Sequence, residues 1–204
     1  LSCRTAGHVN PLLATAVELR ARGHRVDVLG TKEGLEAELV PAAGFPLSVI
    51  DKVPFPRRPN RAALAFPRRW RRAVAACERI VEGADCVVGF GGYVATPAYR
   101  AAKRLGVPIV IHEQNARPGL ANRVGARSAA LVALTFANTP LQAASGRTQL
   151  VGLPLRPAIS ALARERLDPQ GRRRARVAAG ERLGVDPDAR ILLVTGGSLG
   201  ALRL

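Results

Sequence analysis

Short runs of valine, isoleucine and leucine alternate along this chain with longer segments that have the period of an amphipathic helix. Five runs have the length of a strand and little polar alternation: "RVDVLGT" (25–31), "PLSVID" (46–51), "DCVVGFG" (85–91), "PIVIHEQ" (108–114) and "ALVALTF" (130–136). Such runs are typical of strands buried on both faces of a parallel sheet. The alternation therefore predicts an α/β fold with a Rossmann-like, doubly wound parallel sheet.

Helical segments are predicted between these strands. The first starts from an Asn10 cap, has Pro11 in its first turn and ends at Gly23. The others are "EGLEAELVPAAG", "PRRWRRAVAACERIVEG", "TPAYRAAKRLG" and "PGLANRVGAR". The segment 152–190 is rich in proline, glycine and arginine, which predicts a crossing between domains, and a strand, "ARILLVTGG", follows it. We therefore expect one domain over 1–151, with a linker and the beginning of a second over 152–204.

The charge balance constrains the partners. With 31 Lys and Arg against 15 Asp and Glu, the net charge of +16 favours anionic partners. Nucleic acid is not expected, because the chain lacks the interleaved aromatic and basic residues of single-strand binders and the known DNA- and RNA-binding motifs. No apolar run is long enough to predict a membrane span. The three cysteines have no CxxC spacing, and Cys77 and Cys86 are predicted to be buried, reduced thiols.

Two glycine-containing motifs lie where predicted strands lead into helices. In "TAGHVNP" (5–11), free backbone N–H groups at a helix start can hold a diphosphate or an oxyanion. His8 could act there as a general base or hydrogen-bond a substrate, and a plain turn with a capping histidine is the alternative. In "GFGGYVATP" (89–97), Gly91 and Gly92 permit close approach of a ligand, and a simple tight turn is the alternative. Val94 replaces the third glycine of a dinucleotide-binding motif.

Two further motifs have polar or glycine-rich character after a strand. "HEQNARPG" (112–119) follows a predicted strand at its carboxyl end, where open α/β sheets bind ligands; a solvated loop is the alternative. "GGSLGA" (196–201) could hold a phosphate on its backbone N–H groups. No cluster of histidine, cysteine and carboxylate residues predicts a metal site, and Asp186-Pro-Asp188 is predicted to be a turn.

A basic stretch, 52–79, contains nine basic residues against one acidic residue, with Phe55, Leu64, Phe66 and Trp70 among them. Apolar groups inside a basic rim are attracted to an anionic bilayer surface. The alternative is a solvated helix face with a buried Trp70.

The motifs "TAGHVNP", "GGYVATP", "IHEQNARPGLANR", "GLPLRP" and "VTGGSLGA" together resemble the MurG family. Its members are the UDP-N-acetylglucosamine–N-acetylmuramyl-(pentapeptide) pyrophosphoryl-undecaprenol N-acetylglucosamine transferases of bacterial peptidoglycan synthesis. The resemblance covers the first half of the family's length and looks actinobacterial. It implies a GT-B fold, with an N-terminal Rossmann-like domain on the acceptor and membrane side, its first strand largely missing, and the beginning of the donor-binding domain.

The resemblance also implies an activity. GlcNAc would pass from UDP-GlcNAc to the C4 hydroxyl of lipid I (undecaprenyl-pyrophosphoryl-MurNAc-pentapeptide) with inversion, giving lipid II, without a cofactor or metal. The enzyme would lie peripherally on the cytoplasmic face of the plasma membrane, against its anionic inner leaflet. The alternative is a catalytically inactive fragment that retains only membrane or lipid-I-side binding.

By family motif, the resemblance implies His8 and Glu113 as catalytic residues, with His8 as base or acceptor-positioning residue. The implied substrate-binding residues are Thr5, Ala6, Gly7, Tyr93, His112, Asn115, Arg156 and Ser198. The implied membrane residues are Phe66, Trp70, Arg68 and Arg69. The chain departs from the family pattern at Ser2, Cys3 and Arg4, which stand at glycine positions, and at Leu153, where many members have asparagine.

Overall fold

The computed structural model describes the backbone of residues 6–56 and 61–194 and the side chains of residues 7–56 and 64–194. They divide into two compact units, Leu1–Pro154 and Leu155–Leu204. The helices of the first unit are α1 (Ala6–Ala21), α2 (Glu36–Ala42), α3 (Arg61–Val81), α4 (Ala95–Leu105) and α5 (Leu120–Gly125). Its strands are β1 (Val28–Gly30), β2 (Leu47–Val49), β3 (Val87–Gly89), β4 (Ile109–Glu113), β5 (Leu131–Leu134) and β6 (Arg147–Leu150). The second unit contains α6 (Pro157–Glu165) and α7 (Pro169–Leu183).

All strand pairs in the described residues are parallel. β1 pairs with β2, and a second sheet has the order β3-β4-β5-β6. Each of the five predicted runs contains one of these strands at reduced length, which confirms the predicted α/β class. β6 was not predicted, because its sequence, "RTQL", is exposed throughout and carries no apolar run. It is an edge strand in register with β5, where Leu131 pairs with Arg147.

Helix α4 contacts two hydrophobic clusters. Ala98 and Ala101 pack with Val74 and Cys77 of α3, and Leu29 of β1 packs against the same cluster. On its other side, Tyr99 of α4 packs with buried residues of β4 and β5. The small alanine side chains allow α3 and α4 to approach closely, and α4 ends at Gly106 in the left-handed conformation, as predicted.

The first helix begins earlier than the sequence predicts. α1 contains His8, Asn10 and Pro11, so Asn10 does not cap it and Pro11 lies inside it. Pro11 cannot donate to the carbonyl four residues earlier, which costs the helix one hydrogen bond. Val9 and Ala16 are buried on the helix face that packs on the core, and we attribute the early start to this burial. Residues 6–8 of the "TAGH" motif therefore lie in the first helical turn itself rather than in a loop before it.

The second unit departs from prediction in its last strand. The basic residues 172–176, "RRRAR", lie within α7 and are mostly exposed. Asp168 caps this helix by accepting from the Gly171 N–H at 2.7 Å. Residues 190–194 of the predicted last strand are irregular, with Leu192 89% exposed, because no strand within the described residues pairs with them. The turn at Asp186 is confirmed, since the Asp188 N–H donates to its carboxylate at 2.8 Å. The assignment of the units to acceptor and donor domains stays a prediction.

The described cysteines are free thiols, but only one is buried. Cys77 is fully buried in α3, as predicted. Cys86 is exposed, contrary to prediction, because β3 begins one residue later and leaves Cys86 at its uncovered amino end. In the part of the chain that the structure describes, no helix has the length and apolar character needed to cross a membrane.

Candidate functional site

The first helical turn and the carboxyl ends of β1, β3 and β4 carry the polar residues of the candidate site. His8 lies in the first turn of α1, Gly91 follows β3, and Glu113 ends β4. His8 lies directly against Gly91: a Cβ added to Gly91 would be 3.1 Å from His8 Nε2. The structure thus brings "TAGHVNP" and "GFGGYVATP" together at the sheet edge where α/β proteins bind ligands.

The His8 side chain is half-buried, and its Nδ1 is a buried atom without a hydrogen-bond partner among the described residues. Burial lowers the pKa of His8 below its ordinary value of 6.5, while the negative charges of Glu113 and Glu36 oppose that change. The lowered pKa favours the neutral imidazole at neutral pH. A neutral imidazole at a ligand-binding edge can accept a proton from a substrate hydroxyl.

Glu113 holds the loop that follows β4. Its side chain is only 1% exposed. Oε1 accepts from the backbone N–H and the side-chain amide of Asn115, both at 2.9 Å. Oε2 accepts from the Gly119 N–H and from Asn122 Nδ2, both at 3.0 Å. All four donors are neutral, so this buried carboxylate organises the loop through hydrogen bonds rather than through an ion pair.

Asn122 completes this network and was not singled out from the sequence. It is almost fully buried, and its Nδ2 also donates to the His112 carbonyl at 3.2 Å. The Tyr99 hydroxyl donates to Asn122 Oδ1 at 3.0 Å, and burial raises the pKa of Tyr99, so the hydroxyl keeps its proton. The sequence signal that could have identified Asn122 is an amide side chain on the inward face of the short helix that follows "HEQN".

The side chains of His112 and Gln114 are engaged with neighbouring backbone. His112 Nε2 lies 3.0 Å from the Gly152 carbonyl, and Gly152 is in turn bonded through its N–H to Leu134. Gln114 Nε2 donates to the Phe90 carbonyl at 3.0 Å. These contacts tie the ends of β3 and β4 and the segment after β6 to one another. The substrate-binding role of His112 stays a prediction.

Asn115 and Tyr93 lie at the surface of the same edge. The exposed Asn115 accepts from the Thr139 hydroxyl through its backbone carbonyl at 3.1 Å. Tyr93 is partly exposed, and Lys52 Nζ lies 5.1 Å from the centre of its ring. Glu36, at the start of α2, accepts from the backbone N–H and the hydroxyl of Thr31 at 3.0 and 2.9 Å. Glu36 was another residue that the sequence motifs did not mark.

Other predicted site residues lie elsewhere or outside the described part. Thr5 and Ser198 are outside the described residues, and only the backbone of Ala6 is described. Gly7 is exposed in the first turn of α1. Arg156 directly precedes α6 in the second unit. The substrate-binding roles predicted for Arg156 and Ser198 stay predictions.

An alanine at Gly91 tests the packing of His8. Gly91 has φ +97°, so Gly91→Ala should cost about 1–2 kcal/mol of unfolding free energy in urea denaturation. The new methyl group would also press on His8, which should shift the NMR signals of its imidazole. Gly83→Ala is the matched control, because Gly83 has φ +76° and nothing within 4 Å of an added Cβ. Equal changes at His8 in both variants would contradict the contact.

An aromatic cluster of Phe55, Phe66 and Trp70 lies on α3 and the segment after β2. The ring centres are 5.3, 5.5 and 5.9 Å apart. Phe66 and Trp70 are half-buried against the α3–α4 core, whereas Phe55 is exposed. Leu64, two residues before Phe66 on α3, is 84% exposed.

Four exposed arginines follow the cluster on α3: Arg68, Arg69, Arg71 and Arg72. The Arg69 guanidinium donates to the Lys52 carbonyl at 2.9 Å and fastens α3 to the segment that carries Phe55. Apolar and basic groups therefore lie side by side on one surface.

Comparison with known proteins adds the family relationship. Residues 2–134 match the glycosyltransferase family 28 N-terminal domain. A UDP-N-acetylglucosamine–N-acetylmuramyl-(pentapeptide) pyrophosphoryl-undecaprenol N-acetylglucosamine transferase of Clavibacter sepedonicus is 54% identical over 98% of this chain and 53% of its own length. A protein of the same name from Bifidobacterium adolescentis is 51% identical over 98% of this chain and 52% of its own length. The chain thus spans about half the length of these relatives.

A solved structure is also similar. The crystal structure of Acinetobacter baumannii MurG matches with a TM-score of 0.59 and 36% identity, over 70% of this chain and 41% of that chain. This similarity agrees with the predicted Rossmann-like fold of GT-B type over the matched part.

Proposed function

Because this chain belongs to the MurG family within glycosyltransferase family 28, we propose that it transfers GlcNAc from UDP-GlcNAc to lipid I, forming lipid II. The observation that carries the proposal is the half-buried imidazole of His8 at the carboxyl edge of the sheets, packed against Gly91. The acceptor is the C4 hydroxyl of the MurNAc sugar, and the transfer inverts the configuration at the donor carbon.

His8 is the proposed general base. Its Nε2 accepts the proton of the acceptor hydroxyl while that oxygen forms a bond to C1 of GlcNAc and the bond from C1 to UDP breaks. The first N–H groups of α1, from Ala6 onward, have no partner within the helix and lie at the positive end of its dipole. In this proposal they bind a diphosphate, together with Thr5 and Gly7.

The remaining residues have supporting roles in this proposal. Tyr93 and His112 bind substrate, Asn115 and Arg156 contact the donor, and Ser198 contacts the donor diphosphate. The four hydrogen bonds of the Glu113 carboxylate favour a positioning role over direct proton transfer, because no oxygen of this side chain faces solvent. Its negative charge also acts on His8.

A transfer assay tests the proposal. The chain is incubated with lipid I in detergent and labelled UDP-GlcNAc, beside a chimera in which the C-terminal half of the Clavibacter sepedonicus relative follows this chain. We expect label in lipid II. Lipid I binding without transfer by either protein would instead support the inactive-fragment alternative, and neither binding nor transfer would refute both.

A second part of the proposal concerns the membrane. We infer that the aromatic cluster and its neighbouring arginines attach the protein peripherally to the anionic inner leaflet, on the cytoplasmic face of the plasma membrane. The supporting observation is the juxtaposition of exposed Leu64 and Phe55 with Arg68 and Arg69. Apolar groups enter the interface while the guanidinium groups contact anionic headgroups.

Vesicle flotation tests the membrane contact. Each basic residue near an anionic surface contributes about 1 kcal/mol, so Arg68→Gln with Arg69→Gln should weaken binding to phosphatidylglycerol vesicles about thirtyfold. Replacing Phe66 and Trp70 with serine should also reduce binding. Arg172→Gln with Arg182→Gln, two exposed positions on α7, is the control of equal charge. An equal loss in that control would show that net charge alone determines binding.

A further inference from the structure

Tyr99 is a buried tyrosine that the proposed transfer reaction does not use. It is 4% exposed, and its ring fits between two glycines. A Cβ added to Gly89, at the end of β3, would overlap the Tyr99 hydroxyl oxygen, and a Cβ added to Gly125, at the end of α5, would overlap the ring. The two glycines therefore make room for this side chain, and the fit places its hydroxyl group at the carboxyl end of β3.

The hydroxyl of Tyr99 fixes the amide of Asn122. It donates to Asn122 Oδ1 at 3.0 Å. Nδ2 of the same amide donates to the Glu113 carboxylate at 3.0 Å and to the His112 carbonyl at 3.2 Å. Among the described residues, Tyr99 is the only partner of Oδ1, so loss of the hydroxyl would leave a buried acceptor unpaired.

Gly91 is next to both this amide and the imidazole of His8. A Cβ added to Gly91 would be 3.5 Å from Asn122 Nδ2 and 3.1 Å from both Cδ2 and Nε2 of His8. Burial raises the pKa of Tyr99, as does the charge of Glu113, whereas the backbone of Gly91 lowers it. Gly91 therefore connects the buried pair of Tyr99 and Asn122 with the candidate base.

The turn that contains Gly91 depends on contacts from outside. Gly91 and Gly92 have φ +97° and +86°, and glycine can adopt many other conformations at little cost. The two glycines carry no side chains that could hold the turn in this conformation. Gln114 Nε2 fastens the preceding residue by donating to the Phe90 carbonyl at 3.0 Å. The contact with the Asn122 amide supplies a second support, at Gly91 itself.

We propose that Tyr99 is a positioning residue for His8: its hydroxyl fixes the Asn122 amide, and this pair holds Gly91 where it sets the position of the imidazole. The inference rests on the proposed function for its catalytic meaning, because that function makes His8 the general base. A misplacement of about 1 Å in an active site can lower the rate about a hundredfold. The contacts themselves can be tested without substrate.

NMR of the unaltered protein tests these contacts directly. A nuclear Overhauser effect should join the Hδ2 proton of His8 to the α protons of Gly91, because His8 Cδ2 faces this glycine. A second effect should join the Tyr99 hydroxyl proton to the side-chain amide of Asn122. This hydroxyl is buried and bonded, so its proton should exchange slowly with solvent. Absence of either effect would overturn the proposal.

Tyr99→Phe removes the hydroxyl and keeps the ring between the two glycines. We expect the imidazole signals of His8 to shift and its Overhauser effect to Gly91 to weaken. Thr148→Val is the matched control, because it removes a hydroxyl on β6 that accepts from the Ala143 N–H at 3.0 Å. Unchanged His8 signals in Tyr99→Phe, or equal shifts in both variants, would overturn the proposal. Urea denaturation shows whether Tyr99→Phe is folded; if it is not, the two effects in the unaltered protein decide.

Transfer kinetics separate this inference from the proposed function. Tyr99→Phe should lower kcat about ten- to hundredfold with little change in KM, because a displaced base acts in the chemical step. When it is combined with Gly91→Ala, the two losses should not add, since both act on His8 through one turn. An unchanged kcat, additive losses or a change confined to KM would refute the positioning role alone. Shifted His8 signals without transfer by any variant or by the unaltered protein would refute the proposed function alone.

Discussion

Replacing Glu113 with alanine is expected to lower the free energy of unfolding by about 3–5 kcal/mol, because several donors lose their acceptor. The buried carboxylate accepts four hydrogen bonds, and its loss leaves the Asn115 and Gly119 N–H groups without this acceptor. Asn122 Nδ2 loses one of its two acceptors and keeps the His112 carbonyl. Each unpaired buried donor costs about 1–3 kcal/mol, and water that enters the site reduces the total. Urea denaturation followed by circular dichroism measures the change.

Two variants sharpen this result. Glu113→Gln keeps one acceptor oxygen but places an amide N–H₂ group against existing donors. Its decrease in the free energy of unfolding should therefore be smaller than that of Glu113→Ala. Glu82→Ala removes an exposed carboxylate after α3 and should change stability by no more than about 0.5 kcal/mol. A loss below 1 kcal/mol for Glu113→Ala would mean that the loop after β4 is not held by this network.

Replacing His8 with alanine should reduce transfer of GlcNAc to lipid I by about 10²- to 10⁴-fold, the usual contribution of a general base. The reduction should lie in kcat, because the proton is transferred in the chemical step. His24→Ala is the control, since His24 is exposed after α1. A full rate with His8→Ala would remove this residue from the catalytic step.

The lowered pKa of His8 predicts that the free energy of unfolding depends on pH. Burial lowers the pKa of His8 in the folded state, so the unfolded chain binds its proton more tightly. The contribution of neutral His8 to the free energy of unfolding is therefore fully present above pH 6.5, the ordinary pKa of histidine. It is lost as the pH falls toward the lower pKa that His8 has in the folded protein. His8→Ala should flatten this part of the stability profile.

The buried strands were predictable because burial on both faces requires apolar side chains. β4, for example, contains Ile109 and Ile111, both almost fully buried. β6 carries no such signal, because an exposed edge strand is stabilised by its backbone pairing with β5. The start of α1 was misplaced because Asn10 and Pro11 favour a helix start locally, whereas the burial of Val9 depends on the completed fold.

In the candidate site, too, local features could be predicted from the sequence and tertiary partners could not. "HEQN" could be assigned to a strand end from its position, but Tyr99 and Asn122, which bond each other, are 23 residues apart in sequence. Glu36 lies on a helix of ordinary composition and becomes part of the site only through Gly30, Gly34 and Thr31. Such partnerships arise from tertiary packing, which motif spacing does not report.

The position of α4 has a consequence for how the first unit unfolds. Within the described residues, the β1-β2 pair and the four-stranded sheet share no backbone hydrogen bonds, yet α4 supplies Ala98 and Ala101 to one cluster and Tyr99 to the other. Loosening α4 would expose apolar surface in both clusters at once. Amide protons of both sheets should therefore exchange with solvent in one cooperative opening. In that case α4 couples the two sheets, and they unfold as a single cooperative unit.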